Sequence, residues 1–184
     1  MSAKRLRTRE RLSECALDLF EAQGFAATSV AQIANAAGVT EMTFFRHFGS
    51  KEQAVLTDPF DPAIAEAVGA RPAAEAPVAR AARGLRAALA ALSEADLETA
   101  RRRVRIVAAT PELRGAAAVQ NETTAKAISD RLSADGAEPL AARVAAAAVL
   151  AAVTAALYAW AEDERTSLTA AIATALDTLE HGNG

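Results

Sequence analysis

The chain has 184 residues, 52% of them hydrophobic but only 4% aromatic, with a formal net charge of −3. The apolar content is mostly Ala, Leu and Val, strong or acceptable helix formers with few Gly and Pro to interrupt them, so an all-α protein with a sizeable core is expected and a disordered tail is excluded. One cysteine, Cys15, excludes an internal disulfide and a Cys-based zinc site and fits a reducing compartment.

The opening MSAKRLRTRE lacks the apolar run of a signal peptide, and a cytoplasmic location is expected. Residues 1–51 carry seven Lys/Arg against five Asp/Glu, leaving 13 against 18 for the rest, from the totals of 20 and 23. A basic end on an acidic chain points to a polyanion at that end alone.

From Arg5 to Gln23 the residues Leu12, Cys15, Ala16, Leu19 and Phe20 recur at three- and four-residue spacing, predicting one amphipathic helix ended by Gly24. Thr28 or Ser29 then caps a short helix with Val30, Ile33, Ala34 and Ala37 inward, which stops at Gly38. Thr40 caps the next, through Phe45 to about His47, and Ser50 opens a fourth. Two short helices around a glycine turn, braced by a longer one, make a helix-turn-helix over about 29–48. Four of the six prolines lie between Asp58 and Pro77, which sets a boundary between domains of 1–57 and 58–184. Beyond it, helices are expected over 78–92, 94–109, 111–134, 139–162 and 166–180, the last capped by Thr166, for about nine in all. Residues Val144 to Ala161 carry no charge. That run is at the lower limit for a membrane span, but its Ala content favours a helix shared between a core and a dimer interface, and no membrane partner is expected.

The segment RERLSECALDLFEAQGFAATSVAQIANAAGVTEMTFFRHFGSKE resembles the DNA-binding domain of the TetR family of bacterial transcriptional regulators. The matching features are the LF closing the first helix, GF before the Thr-Ser cap, IA with AAGV, the T-F-F-R-H-F run and the final SKE. The resemblance implies a dimeric, ligand-responsive regulator, read here as a repressor on a palindromic double-stranded DNA operator. In that reading the second short helix enters the major groove with Thr40, Glu41, Met42 and Thr43 nearest the bases. Thr28, Ser29 and Lys51 would grip phosphates at helix starts. Phe45, Arg46 and His47 complete the surface, and Arg5 and Arg7 are expected to reach the backbone or minor groove as an arm. Glu41, Met42 and Phe45 depart from the family's usual Lys/Arg, Gly and Tyr, which affects the operator sequence and not the class of activity.

The run RRRVRIVAATPELRG and the helix ending YAWAED resemble the C-terminal domain of a TetR subgroup that includes the mycofactocin-type regulators, described as binding acyl-CoA-like ligands. That likeness implies a small hydrophobic or acyl-CoA-like effector, with Arg102, Arg105, Gln120, Asn121, Thr124, Tyr158 and Trp160 as candidate pocket residues. A homodimer through the last two long helices is expected, using Val149, Val153, Leu157, Leu168, Ile172, Leu176 and Leu179. For single residues the plainer readings stand: Cys15 as core, His47 as a phosphate or helix-end donor, and Glu98 as a helix-supporting partner of Arg102. No paired carboxylates, metal spacing, nucleophile elbow or phosphate loop is present, so no cofactor, no metal and no enzymatic activity are expected. The rivals are a helical small-molecule-binding enzyme and a membrane-associated helical protein.

Overall fold

The computed structural model describes residues 3–57, 61–162, 165 and 167–181, with the side chains at 61, 62 and 181 set aside. The expected Thr166 cap and the His181 side chain lie outside the described residues. Ten helices are present among the described residues: α1 (Ala3–Gln23), α2 (Val30–Ala36), α3 (Glu41–His47), α4 (Gln53–Leu56), α5 (Asp61–Gly69), α6 (Pro77–Ala90), α7 (Glu94–Ala109), α8 (Pro111–Ala134), α9 (Pro139–Glu162) and α10 (Leu168–His181). The tenth is α5, a short helix in the proline-rich stretch, where short helical or irregular pieces are expected from the sequence. Its one proline, Pro62, falls at the start, leaving an uninterrupted AIAEAV run in which the helix propagates.

Contacts divide the chain into Met1–Asp58 with Arg105–Ala117, and Pro59–Val104 with Ala118–Gly184. By contacts, residues 105–117 of the expected 58–184 domain group with the first unit.

In the first unit, α1 buries Leu12, Ser13, Ala16, Leu17 and Phe20. The buried stripe is therefore rotated from the one expected. Cys15 and Leu19 are half-buried at its edge, and Ser13 takes a core position because its hydroxyl donates to the Ala54 carbonyl at 3.2 Å. Against this stripe pack Ile33, Ala34 and Ala37 of the α2 segment, Phe44 and Phe48 of the α3 segment, and Ala54 and Val55 of α4. Gly38 turns the chain between α2 and α3 at φ +62°, the left-handed region that residues with a Cβ rarely adopt.

The second unit is built on alanine. Ala142, Ala145, Ala146 and Val149 of α9 are fully buried, α6 contributes Ala81, Ala82 and Leu85, and α10 contributes Leu168, Ile172 and Leu176. Small side chains let these helices approach closely, most of all at Gly84, where an added Cβ would lie 2.6 Å from Val68 Cα. Arg80, 2% exposed, ties three elements together. Its Nε donates to the Val68 carbonyl at 3.2 Å at the end of α5, and its Nη2 pairs with Asp135, beside which Gly136 closes α8. Arg131 reaches the same carboxylate at 3.0 Å. Arg83 and Arg86 of α6 pair with Glu180 of α10 at 3.1 and 3.2 Å. These hydrogen bonds satisfy the charged groups as the helices close around them, which lets Arg80 be buried.

The expected dimer residues need correction. Val149, Leu168, Ile172 and Leu176 lie 0–4% exposed inside a single chain, so their apolar surface is already covered. Val153, Leu157 and Leu179 are half-buried against the same core. By length and composition α9 could cross a membrane, yet a third of its most apolar window is buried in the fold. What α9 leaves in solvent is the opposite stripe, with Leu140 at 59% and Val144 at 56%, continued by Ala147 and Ala151.

Candidate nucleic-acid interface

Helix α3 has seven residues, too short to persist alone, and local chemistry and docking hold it. Thr40 is its N-cap, accepting from the Thr43 amide at 3.2 Å, and the two hydroxyls share a hydrogen bond at 3.1 Å. Phe44 is fully buried and Phe48 nearly so, their rings 5.6 Å apart. This fixes the opposite face outward. Thr40, Glu41, Met42, Phe45 and Arg46 are exposed, and Thr43 and His47 are half-buried. Met42 at 73% and Phe45 at 51% exposure stand in water, Phe45 packing one side against the Phe44 ring at 5.5 Å.

Helix α2 starts at a capping box. The Ser29 hydroxyl accepts from the Gln32 amide at 3.2 Å, and the Gln32 side chain accepts from the Ser29 amide at 2.8 Å. Ser29 remains exposed, at a helix start that suits phosphate. Thr28 does not. It is 2% exposed and donates inward to the Gly24 carbonyl at 2.8 Å, so its hydroxyl is a turn lock and not a phosphate contact.

Lys51 also differs from its expected role. Its ammonium donates to the carbonyls of Phe25 at 2.7 Å and Thr28 at 2.9 Å and lies 4.0 Å from the Phe25 ring centroid. It braces the α1–α2 turn against α4, because a lysine can satisfy two carbonyls and one aromatic face together.

Helix α1 begins at Ala3, so Arg5 and Arg7 sit on a helix and not on an arm. Arg5 shares a cleft of about 540 Å3 between α1 and α3 with Lys4, Thr8, Arg11, Arg46 and His47, whereas exposed Arg7 lies off that cleft. Lys4 and Arg11 were not singled out in the sequence. Their signal is spacing, since positions 4, 8 and 11 share one helical face with Arg5 beside them. Arg9 was missed as well. Its Nη1 donates to the His47 carbonyl at 2.9 Å and its guanidinium lies 4.6 Å from the Phe48 centroid, so it caps the C-terminus of α3 and docks it on α1. Burial first, and then the charges of Arg5, Arg9 and Arg46, hold the His47 imidazole below its ordinary value. Burial raises the Cys15 thiol, with Asp18 and Glu14 adding to it, which keeps it protonated and unreactive.

The candidate effector residues separate. Arg105 is exposed and belongs to the first unit, where it borders a groove with Phe20, Phe25, Ile106 and Pro111. The other six lie in the second. Trp160, 4% exposed, is part of the hydrophobic core there, with the Arg101 guanidinium 5.8 Å from its ring. Asn121 donates to the Thr154 hydroxyl at 3.0 Å, a polar bridge from α8 to α9, and buried Thr124 turns back to the Gln120 carbonyl. Tyr158 and Arg102 are half-buried. Glu98 holds Arg101 at 3.3 Å, and the Arg101 Nε is buried with no acceptor among the described residues.

Comparison with known proteins fits this arrangement. The family model of bacterial regulatory proteins of the tetR family matches residues 13–56, and that of the MftR C-terminal domain matches 75–184. The HTH-type transcriptional regulator TcmR of Streptomyces glaucescens is 45% identical over 94 residues, half of this chain but 42% of TcmR. The putative mycofactocin biosynthesis transcriptional regulator MftR of Mycobacterium tuberculosis is 31% identical over 97% of this chain and 92% of its own. The fold is shared with FadR of Bacillus subtilis in complex with stearoyl-CoA, at a TM-score of 0.59, 17% identity, and coverage of 95% of this chain and 99% of that one. A capped recognition helix on a three-helix head, followed by a helical region whose residues 75–184 match the MftR C-terminal domain, places this chain in the TetR family of ligand-responsive, DNA-binding transcriptional regulators.

Proposed function

We propose that the chain is a cytoplasmic repressor that binds a palindromic operator as a two-fold dimer and leaves it when an acyl-CoA-like ligand enters the second unit. The observation that carries the DNA contact is the outward face of α3, where exposed Met42 and Phe45 lie between Thr40, Glu41, Thr43 and Arg46. An apolar pair kept in water among hydrogen-bonding groups suits a groove wall: Met42 for a thymine methyl, Glu41 for cytosine N4, Arg46 for phosphate. The ligand class is supported by the MftR-type domain and by the stearoyl-CoA that FadR holds. The buried Arg101 Nε–H without an acceptor and the Asn121–Thr154 bridge supply polar groups for a head group beside an Ala/Leu/Val interior. Ligand and DNA would then select different conformations, and a near-complete switch asks for a preference of about 5 kcal/mol.

Fluorescence anisotropy of a labelled duplex from the region upstream of the gene tests the reading. Binding is expected to weaken with salt, and Arg46→Ala is expected to lower the salt slope by roughly one, the value for one lost phosphate contact. Stearoyl-CoA is expected to release the duplex. Salt-independent binding that Arg46→Ala leaves untouched would overturn the DNA reading, and acyl-CoAs that neither bind nor change the affinity would overturn the ligand class.

For the dimer, the exposed stripe Leu140, Val144, Ala147 and Ala151 replaces the residues expected from sequence, since it is apolar and uncovered within one chain. Val144→Glu is expected to give monomers in light scattering without loss of helix content. A dimer that persists would move the interface elsewhere.

A further inference from the structure

The cleft between α1 and α3 gathers an unusual amount of positive charge. Lys4, Arg5 and Arg11 enter it from α1 and Arg46 from α3, with the hydroxyls of Thr8 and Thr43 beside them and His47 on the wall. No acidic side chain lines it, and none of these four cations has a carboxylate within ion-pair distance among the described residues. A third α1 guanidinium, Arg9, sits behind His47 on its carbonyl. Like charges collected without counter-charge destabilise the empty head, and the arrangement is favourable when an anion fills it.

His47 is the group here whose charge can change near neutral pH. With the cleft empty, a proton on its ring is opposed first by burial and then by Arg5 and Arg9 from α1 and Arg46 from α3, which hold the imidazole below its ordinary value. A phosphodiester in the cleft reverses that field. Its oxygens accept from the guanidiniums and reward a second N–H on the imidazole with a charge-assisted hydrogen bond. The proton comes from solvent to the free ring nitrogen, and no bond to phosphorus changes.

We propose that this cleft seats a backbone phosphate of duplex DNA and takes up a proton at His47 as it fills, so that the chain binds DNA more tightly in mildly acidic than in mildly alkaline solution. The proposal rests on the DNA-binding reading and deepens it. It gives Lys4 and Arg11 a role in the contact and makes His47 a proton-linked contact.

The experiment is anisotropy with a 5′-labelled duplex of about 30 base pairs at low salt, between about pH 6 and pH 8, on the full chain and on His47→Gln. The native chain is expected to bind roughly three- to tenfold more tightly at the acid end, one proton setting a ceiling of about tenfold per pH unit. His47→Gln is expected to flatten the profile. By NMR, the His47 Cε1 proton is expected to titrate at higher pH with duplex present, and Arg5→Gln is expected to raise its midpoint in the free chain while weakening DNA binding. DNA binding with parallel pH profiles for native and His47→Gln chains, or a midpoint that duplex does not move, would overturn the proton linkage alone. Absence of binding at every pH would overturn the DNA reading with it.

Discussion

The two units treat charge and burial in opposite ways. The first has an aromatic core, with Phe20 and Phe25 5.1 Å apart and Phe44 and Phe48 5.6 Å apart, and it leaves Lys4, Arg5, Arg11 and Arg46 on its surface without carboxylate partners among the described residues. The second has an alanine-rich core, and its arginines are tied into it, Arg80 to Asp135 and Arg86 to Asp177 and Glu180. Cations neutralised within the chain position helices. Cations left unneutralised beside an exposed apolar pair await a polyanion from outside.

The largest effect expected is on the aromatic core. Phe44→Ala removes a fully buried ring that anchors α3 and is expected to cost about 3–5 kcal/mol, read as lost amide-exchange protection in α1–α3 together with lost DNA binding. Trp160, the single tryptophan, lies in the second unit and reports on it separately. A Trp160 transition that falls in step with the first unit would show one cooperative body and break the comparison. Next is Gly84→Ala. Its methyl would meet the Val68 backbone, which cannot move cheaply, and a loss of about 1–3 kcal/mol is expected in the Trp160 transition. An unchanged midpoint would mean that the α5–α6 approach is slack.

The smallest effect is acid sensitivity, and it has a different pH window in each unit. The folded His47 value lies below the unfolded one, so the unfolded chain binds more protons and the free first unit loses stability as pH falls through about 6.5. In the second unit the Arg80 side chain lowers Asp135, and Arg71 lowers Glu75. Their contributions are present at neutral pH and are lost as pH falls below the ordinary carboxylate range. Amide-exchange protection in α1–α3, taken relative to the intrinsic rate at each pH, is expected to fall before Trp160 fluorescence changes, and the reverse order would contradict the assignment.

Much of the first unit was legible because its information is local. The Thr40 cap, the Gly38 turn and the two inward phenylalanines act over spans of three to five residues, so spacing reveals them. Thr28 and Lys51 were misplaced for the same reason. Each stands at a helix start, where phosphate binding is the local reading, but their actual partners are the Gly24 carbonyl and the carbonyls of Phe25 and Thr28, the last two more than twenty residues from Lys51. In the second unit, periodicity located α9 and α10 but could not choose a buried side for helices apolar nearly all round. Val149, Leu168, Ile172 and Leu176 therefore went to the interface and belong to the core.

The sequence by itself determined that the chain is helical, where most helices start and stop, which end is basic, and which family it resembles. Composition, caps and spacing are short-range properties, and each can be read from neighbours along the chain. Only the tertiary structure decided which face each helix turns inward, that Arg9 caps α3, that Lys4 and Arg11 join Arg46 and His47 across one cleft, and that Gly84 must lack a side chain. Those outcomes depend on groups brought together from distant parts of the chain, where packing and the pairing of buried polar atoms choose among arrangements that local preference leaves equivalent.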